Sequence, residues 1–385
     1  MDLALSEEQA LIQDTARKFS AAELAPVAAD LDGGGGRDKY LDNLKQMAEL
    51  GLMGINVDDQ YGGTDAGVVA FSLAITEIAR GCSATAVSMS VTNLVAEVIQ
   101  SIGSEEQKAH YIPRLCDGSY PAGSFCLSEA GAGSDPSSVQ TRAVKDGDEW
   151  VIDGTKMWIS SAEFAGVYVV WAVTDPEAPK GKGITCFLVE RNTPGLSIGP
   201  AEKKLGQRAS PTNPVIFENC RVPASAILGE LNDGFRIAVA ELTGGRIGIG
   251  SLALGVASAA MDYASRYITE RQQFDTKISD FQGIQWMLAD TYTELEAARL
   301  LLMNAAYLKE NNLPFAKQAS MAKLYATEMA NRACYTAIQL MGGLGYTEEV
   351  PLERYARDVR VTSIYEGTSE IQRVIIAREI LRELG

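Results

Sequence analysis

Apolar positions in the first third of the chain recur at helical spacing. Leu11, Ile12, Ala16 and Phe19 make one stripe, and Val91, Leu94, Val95, Val98 and Ile102 make another. Asn93, Glu97 and Gln100 form the polar side of that second helix, where Glu97 reads as a solvated surface residue. Ser6 with Gln9 and Ser104 with Gln107 fit the S-x-x-Q capping box that opens a helix. A tetraglycine, Gly33 to Gly36, and Tyr61-Gly62-Gly63 divide the stretch from Leu3 to about Asp117 into helices of ordinary length. The pattern then shortens to strand-like runs, Val167–Val173, Ile184–Val189 and Pro214–Phe217, set apart by Gly, Pro, Asp and Asn. Helical periodicity returns after Gly234, with Gln282–Lys309 and Pro314–Met341 as long uninterrupted stretches. Val359–Tyr365 is β-branched and reads as extended. Ser369–Leu384 is helical through Ile371, Val374, Ile375 and Leu381. The outline is an α+β chain, mostly α: an N-terminal helical domain (1–120), a middle β-domain (121–233) and a C-terminal helical bundle (234–385).

The long C-terminal helices are apolar on more than one side, as Trp286, Met287, Leu288, Leu295, Ala298, Leu300, Leu301, Leu302 and Met303 show. Such a helix needs cover from more than its own domain, and a symmetric oligomer or a large internal core would provide it. A composition of 46% hydrophobic and 22% charged residues over 385 residues is that of a soluble globular protein. No apolar run approaches the roughly 20 residues that span a bilayer, and the start MDLALSEEQA lacks the features of a signal peptide, so a cytoplasmic location is expected. A net charge of −16 argues against nucleic acid or an anionic membrane as partner. The six cysteines include no C-x-x-C pair and His110 is the only histidine, which leaves zinc sites and Ser-His or Cys-His catalysis poorly supported. The cysteines are expected to be buried, reduced and inert.

Glu366 stands out as a candidate reactive group. In IYEGTSEIQR it sits between Tyr365 and Gly367, on a turn that leads into a helix, where Thr368 and the free N–H groups of that helix can hold an anion. A second candidate is the loop in Phe125-Cys-Leu-Ser-Glu-Ala-Gly-Ala-Gly-Ser-Asp135, whose successive N–H groups, with Ser128 and Ser134, suit a phosphate or the polar rim of a cofactor. It lacks the third glycine of a dinucleotide fingerprint. Trp158 and Ser160, two apart at a strand end, point to one face and suit stacking and one hydrogen bond on a planar ring. Arg271-Gln-Gln-Phe274 and Gln339-Leu-Met-Gly-Gly343 offer a guanidinium, amides and bare backbone to a pyrophosphate.

In their order and spacing, FCLSEAGAGSD, GTKMWISS, LTGGR, ERQQF with FQ after it, QLMGGLGY and IYEGTSEIQR resemble the acyl-CoA dehydrogenase family along nearly the whole chain, in its short-chain, butyryl-CoA-like form. The resemblance implies a homotetramer with a helical N-terminal domain, a β-barrel-like middle domain, a C-terminal four-helix bundle and noncovalent FAD. It further implies that Phe125, Leu127, Ser128, Trp158 and Ser160 surround the flavin ring, with Ser134 at the edge of the glycine loop touching bound ligand. Arg271, Phe274, Gln282, Gln339 and Gly343 would hold the pyrophosphate and adenosine half, partly across a subunit boundary. Thr368 and Glu370 would close over the FAD, and Thr243, Arg246, Tyr365, Gly367 and Arg378 would lie near the acyl-CoA substrate. Glu366 would take the α-proton while flavin takes the β-hydride, and an electron-transfer flavoprotein would accept the electrons. Some relatives carry the base immediately before the arginine of LTGGR, where this chain has Gly245. Many carry Asp where it has Thr243. An oxidase, an enoyl-CoA reductase, a cyclic desaturase and a non-catalytic helical module are the other classes the fold allows. The helix at about Ala84–Ile102 would border the acyl tail, and the absence of Lys or Arg between Arg80 and Lys108 points to a short neutral aliphatic or compact cyclic acyl group over a dicarboxylyl one.

Overall fold

The computed structural model describes residues 4–385. The helices of the first part are α1 (Glu7–Phe19), α2 (Ala28–Asp32), α3 (Arg37–Glu49), α4 (Gly67–Gly81), α5 (Ser83–Ile102) and α6 (Glu105–Cys116). Both capping boxes form. Gln9 N–H donates to Ser6 Oγ at 3.1 Å and Gln107 N–H to Ser104 Oγ at 3.2 Å, and each glutamine side chain accepts from the cap residue's own N–H. The tetraglycine separates α2 from α3, as its spacing predicts.

The middle of the chain contributes β1 (Ala122–Cys126), β2 (Arg142–Asp146), β3 (Glu149–Ser160), β4 (Ala165–Val173), β5 (Ile184–Glu190), β6 (Leu196–Ile198), β7 (Thr212–Pro223) and β8 (Ile227–Leu228). They pair in the order β6-β7-β3-β2-β4-β5-β8, with β1 parallel to β4 off that path. The middle domain is the expected sheet domain, but the barrel is not closed: among the described residues no pairing joins β6 to β8. β4 is buried along nearly its whole length because both of its faces are covered. Val167, Val169 and Trp171 join the core shared with α5 and α6, while Tyr168, Val170 and Ala172 join the core against β3, β5 and β7.

The C-terminal part consists of α7 (Gly234–Glu270), the short hairpin β9 (Gln272–Gln273) and β10 (Thr276–Lys277), α8 (Gln282–Glu310), α9 (Ala316–Met341), α10 (Leu352–Val359) and α11 (Ser369–Leu384). α7 lies against α4, α5, α8 and α9. It is apolar enough over 18 residues to cross a membrane by composition, yet 78% of that window is buried inside the protein, so it is a core helix. Met47, Ile75, Ile247, Leu252, Leu302 and Met329 belong to one continuous helical core. The many-sided apolar character of α8 divides: Leu295, Ala298, Leu302 and Met303 are buried, Met287 and Leu288 are half-buried, and Trp286 is exposed. All six cysteines are free and buried.

One segment departs from its sequence pattern. Val359–Tyr365 is not extended: α10 runs through Val359 and a 3₁₀ turn covers Arg360–Ser363. Val359 and Thr362, three residues apart, are both buried, so helical spacing puts one side of this β-branched run into the core and packing overrides its strand propensity.

Candidate active site

After the 3₁₀ turn the backbone reverses through two left-handed residues, Glu366 with φ +55° and Gly367 with φ +85°, before α11 begins. A non-glycine residue there costs on the order of 1–2 kcal/mol, so something must hold it. The Gln372 amide, one turn into α11, donates to the Glu366 carbonyl at 3.2 Å and to the Gly367 carbonyl at 2.9 Å, and the Lys323 ammonium of α9 also donates to the Gly367 carbonyl at 2.8 Å. Gly367 cannot be replaced without strain, since an added Cβ would stand 2.8 Å from the Gln372 amide nitrogen. Thr368 caps α11 by accepting from the Ile371 N–H at 3.4 Å, so its hydroxyl oxygen is already engaged by the helix start.

The turn aims the Glu366 carboxyl inward. The residue as a whole is half-buried, but Oε2 is shut off from solvent and has no hydrogen-bond partner. Burial pushes its pKa up to about 7, against the pull of Lys323 and Arg246. A Cβ built on Gly245 of α7 would lie 3.1 Å from Oε2, so the bare glycine is what makes room for the carboxyl. The neighbouring Arg246 is buried, donates to Ser320 Oγ at 3.2 Å and leaves Nε unpartnered; burial lowers its pKa, with Glu366 acting the other way. Thr243 turns its hydroxyl back to the Val239 carbonyl at 2.8 Å, within α7. Tyr365 accepts from the Gln207 side chain at 3.2 Å, and Gln207 in turn donates its backbone N–H to the buried Asp358.

The glycine-rich loop and the end of β3 are brought together. Met157 N–H donates to the Ser128 carbonyl at 2.9 Å, and Ser124 Oγ donates to the Ser160 carbonyl at 2.8 Å. Within the loop Glu129 and Ala132 bond each other, and the buried Glu129 carboxylate accepts from Thr141 N–H at 2.9 Å and from the fully buried Lys156 ammonium at 2.8 Å. Lys156 also donates to the Leu127 carbonyl at 3.2 Å, so one buried ion pair ties the loop to β3. Simple strand alternation does not place Trp158 and Ser160. The β3–β7 register shifts between Lys156 and Ile159, and Trp158 is left-handed with φ +59°, which turns its ring outward to 51% exposure while Ser160 stays half-buried. Phe125 packs on Trp171 with ring centroids 4.3 Å apart.

Other residues are not joined to this pocket within the single chain. Arg271, Phe274, Gln282, Gln339 and Gly343 are all exposed, at the hairpin after α7, the start of α8 and the end of α9. Ser134, Glu370 and Arg378 are exposed as well. Arg378 lies on the third turn of α11, exposed to solvent. Sequence reasoning passed over Lys323, Gln207, Ser320 and Gln372. Lys323 left a readable signal: it shares a face of α9 with Ala319, Ala322, Ala326 and Ala330, all buried, so its charge interrupts an apolar stripe. Gln207 left none, because its contact is made across 158 residues.

Three family models cover the chain in order: the acyl-CoA dehydrogenase N-terminal domain over residues 6–119, the middle domain over 124–220 and the C-terminal domain over 232–381. The chain belongs to the acyl-CoA dehydrogenase family. It is 43% identical over 387 aligned positions to the acryloyl-CoA reductase (NADH) of Anaerotignum propionicum, covering 99% of this chain and 96% of that protein. To the mitochondrial short-chain specific acyl-CoA dehydrogenase of Rattus norvegicus it is 46% identical, covering 98% of this chain and 91% of that protein. The butyryl-CoA dehydrogenase structure from Megasphaera elsdenii superposes with a TM-score of 0.95 at 36% identity, covering 99% of this chain and all of that one. This acyl-CoA dehydrogenase is therefore an oxidoreductase acting on CH–CH groups, with FAD as its cofactor. The chain's surface fits such a group. An added Cβ on Gly131, Gly133, Gly342 or Gly343 would meet no other protein atom within 4 Å, and two large aromatic rings, Trp158 and Phe274, stand open to contact.

Proposed function

We propose that this acyl-CoA dehydrogenase oxidises a short, neutral acyl-CoA to the trans-2-enoyl-CoA, with Glu366 as the base that removes the α-proton. The observation that carries the reading is the Glu366 carboxyl itself, buried, unpartnered at Oε2 and raised to about 7. A base poised near neutrality combines a usable ionised fraction with real basicity, which a solvated carboxylate does not. Gly245 carries no side chain, so the position just before Arg246 offers no second acid beside that carboxyl.

Bound FAD supplies the acceptor for the β-hydride. Leu127, Ser128, Trp158 and Ser160 would hold its ring, and Arg271, Phe274, Gln282, Gln339 and Gly343 its pyrophosphate and adenosine half. Because the second set is exposed on a single chain, while Phe274, Tyr335 and Tyr346 are large aromatics at 90%, 71% and 83% exposure, the reading includes a homotetramer that shares the cofactor across an interface. Proton removal leaves negative charge on the thioester oxygen, and the Glu366 N–H is the chain's own donor for it.

The neutral acyl group rests on α5. Glu97 is not solvated, as its sequence position suggested. Lys309 of α8 reaches across to pair with it at 2.6 Å, and the Asn56 amide donates to it. The pair lines a cavity of about 570 Å³ beside Gly244 and Glu241, and burial raises the Glu241 pKa to about 7 with Glu97 adding to it. α5 is thus not without a cation, but that cation is already matched by one acid and faced by another. A carboxylate-ended tail would meet repulsion there.

Transfer of electrons to an electron-transfer flavoprotein is supported by a further neighbour, at a TM-score of 0.96 and 39% identity, described with the electron transferring flavoprotein of Acidaminococcus fermentans and flavin-based electron bifurcation. Likeness to an acryloyl-CoA reductase favours one second reading, enoyl-CoA reduction through the same base and cofactor. Anaerobic stopped-flow mixing with butyryl-CoA, a cyclic acyl-CoA and glutaryl-CoA tests the reading. Flavin bleaching should be fastest with the first two. Fastest bleaching by glutaryl-CoA, or reoxidation by an enoyl-CoA far outpacing reduction, would reject it.

A further inference from the structure

Lys323 is fully buried, sits in the third turn of α9 and makes no ion pair among the described residues. Burying a lysine without a matched carboxylate is costly, and burial lowers its pKa to about 8. Among the described residues its side chain donates one hydrogen bond, to the carbonyl of Gly367, the residue after the base. That carbonyl also accepts from Gln372, so two donors from two helices converge on the left-handed pair Glu366–Gly367. A group placed only to fasten a carbonyl need not be charged, since the Gln372 amide already does so.

We propose that Lys323 is the positioning residue of the base: its ammonium fastens the Glu366–Gly367 turn through the Gly367 carbonyl and sets the field in which the Glu366 carboxyl holds or releases its proton. This deepens the assignment of Glu366 as base and rests on it. The charged and titratable groups around the carboxyl are few. Lys323 on α9 and Arg246 on α7 are the cations that bear on it, and Tyr365 on its own segment stays neutral because burial pushes its pKa far up. Glu328 and Glu370 act on Lys323 from α9 and α11, in the opposite sense to Arg246. With its pKa near 8, Lys323 keeps its charge across most of the range where Glu366 titrates. A cation facing a carboxyl favours the ionised form, so removing it must raise the pH at which Glu366 loses its proton.

The test is Lys323→Gln, which keeps an amide donor for Gly367 but loses the charge, beside Lys323→Arg, which keeps the charge. Two readouts apply to the FAD-loaded protein: the pH profile of flavin reduction by butyryl-CoA, and infrared difference titration of the protonated carboxyl band that is missing in Glu366→Gln. The glutamine variant should move both midpoints up by about one pH unit, slowing reduction at acid pH and recovering at alkaline pH, while the arginine variant keeps the original midpoint. An equal loss at every pH with an unmoved midpoint would mean a structural role only and overturn the proposal. If the glutamine variant does not accumulate, a folded arginine variant with a displaced midpoint overturns it equally. The infrared titration needs no substrate, so a protein that no acyl-CoA reduces would sink the assigned reaction and still leave Lys323 decided.

Discussion

Glu366 gains its character from what is absent around it among the described residues: no side chain on Gly245 and no hydrogen bond to Oε2. Since only the ionised carboxyl can accept the α-proton, flavin reduction should rise with pH through a midpoint near 7, the value to which burial lifts Glu366. A midpoint at the ordinary glutamate value of 4.5 would show that the carboxyl is solvated in solution. Gly245→Ala puts a Cβ within 3.1 Å of Oε2, tight enough that the carboxyl must give way. We expect reduction to slow by about tenfold or more, because misplacement of a base by a fraction of an ångström weakens proton transfer steeply, with FAD content unchanged. A variant as fast as the parent would mean that the carboxyl does not occupy this place when substrate binds.

At the scale of elements, the loop after β1 is held to β3 by the buried Lys156–Glu129 pair. Glu129→Ala would leave Lys156 enclosed without its partner, which costs about 3–5 kcal/mol. Thermal melting should fall markedly and bound FAD should be lost on dialysis, whereas an unchanged melting point would show that solvent reaches Lys156. The elements themselves were legible where one physical signal dominated. The capping boxes at Ser6 and Ser104, the strand at Val167–Val173 and the helix Ser369–Leu384 depend on local chemistry and periodicity, which a sequence displays directly. Val359–Tyr365 departs from its pattern because its β-branched residues favour extension while burial of Val359 and Thr362 on one side demands a helix. The pairing of Glu97 is hidden in the sequence because its partner, Lys309, lies 212 residues away. The same holds for the site: Glu366 and Gly245 are marked by motif, while Lys323 and Gln207 enter through long-range packing.

For the whole molecule, the exposed aromatics and the exposed Arg271 make one prediction together. If Arg271 serves both cofactor and interface, as proposed, Arg271→Ala should lower FAD occupancy and shift the protein toward smaller assemblies in sedimentation. Full occupancy with an unaltered assembly would separate the two roles. On the proposed reading, the fold presents one buried carboxyl, that of Glu366, to the carbon–hydrogen bond that is broken. The most direct measurement is therefore anaerobic stopped-flow flavin reduction by butyryl-CoA in Glu366→Gln, prepared with full FAD and the parent's melting point. A loss on the order of 10³-fold or more is expected, since an amide of the same shape cannot accept the proton. Retention of more than about a tenth of the parent rate would contradict it and place the base elsewhere.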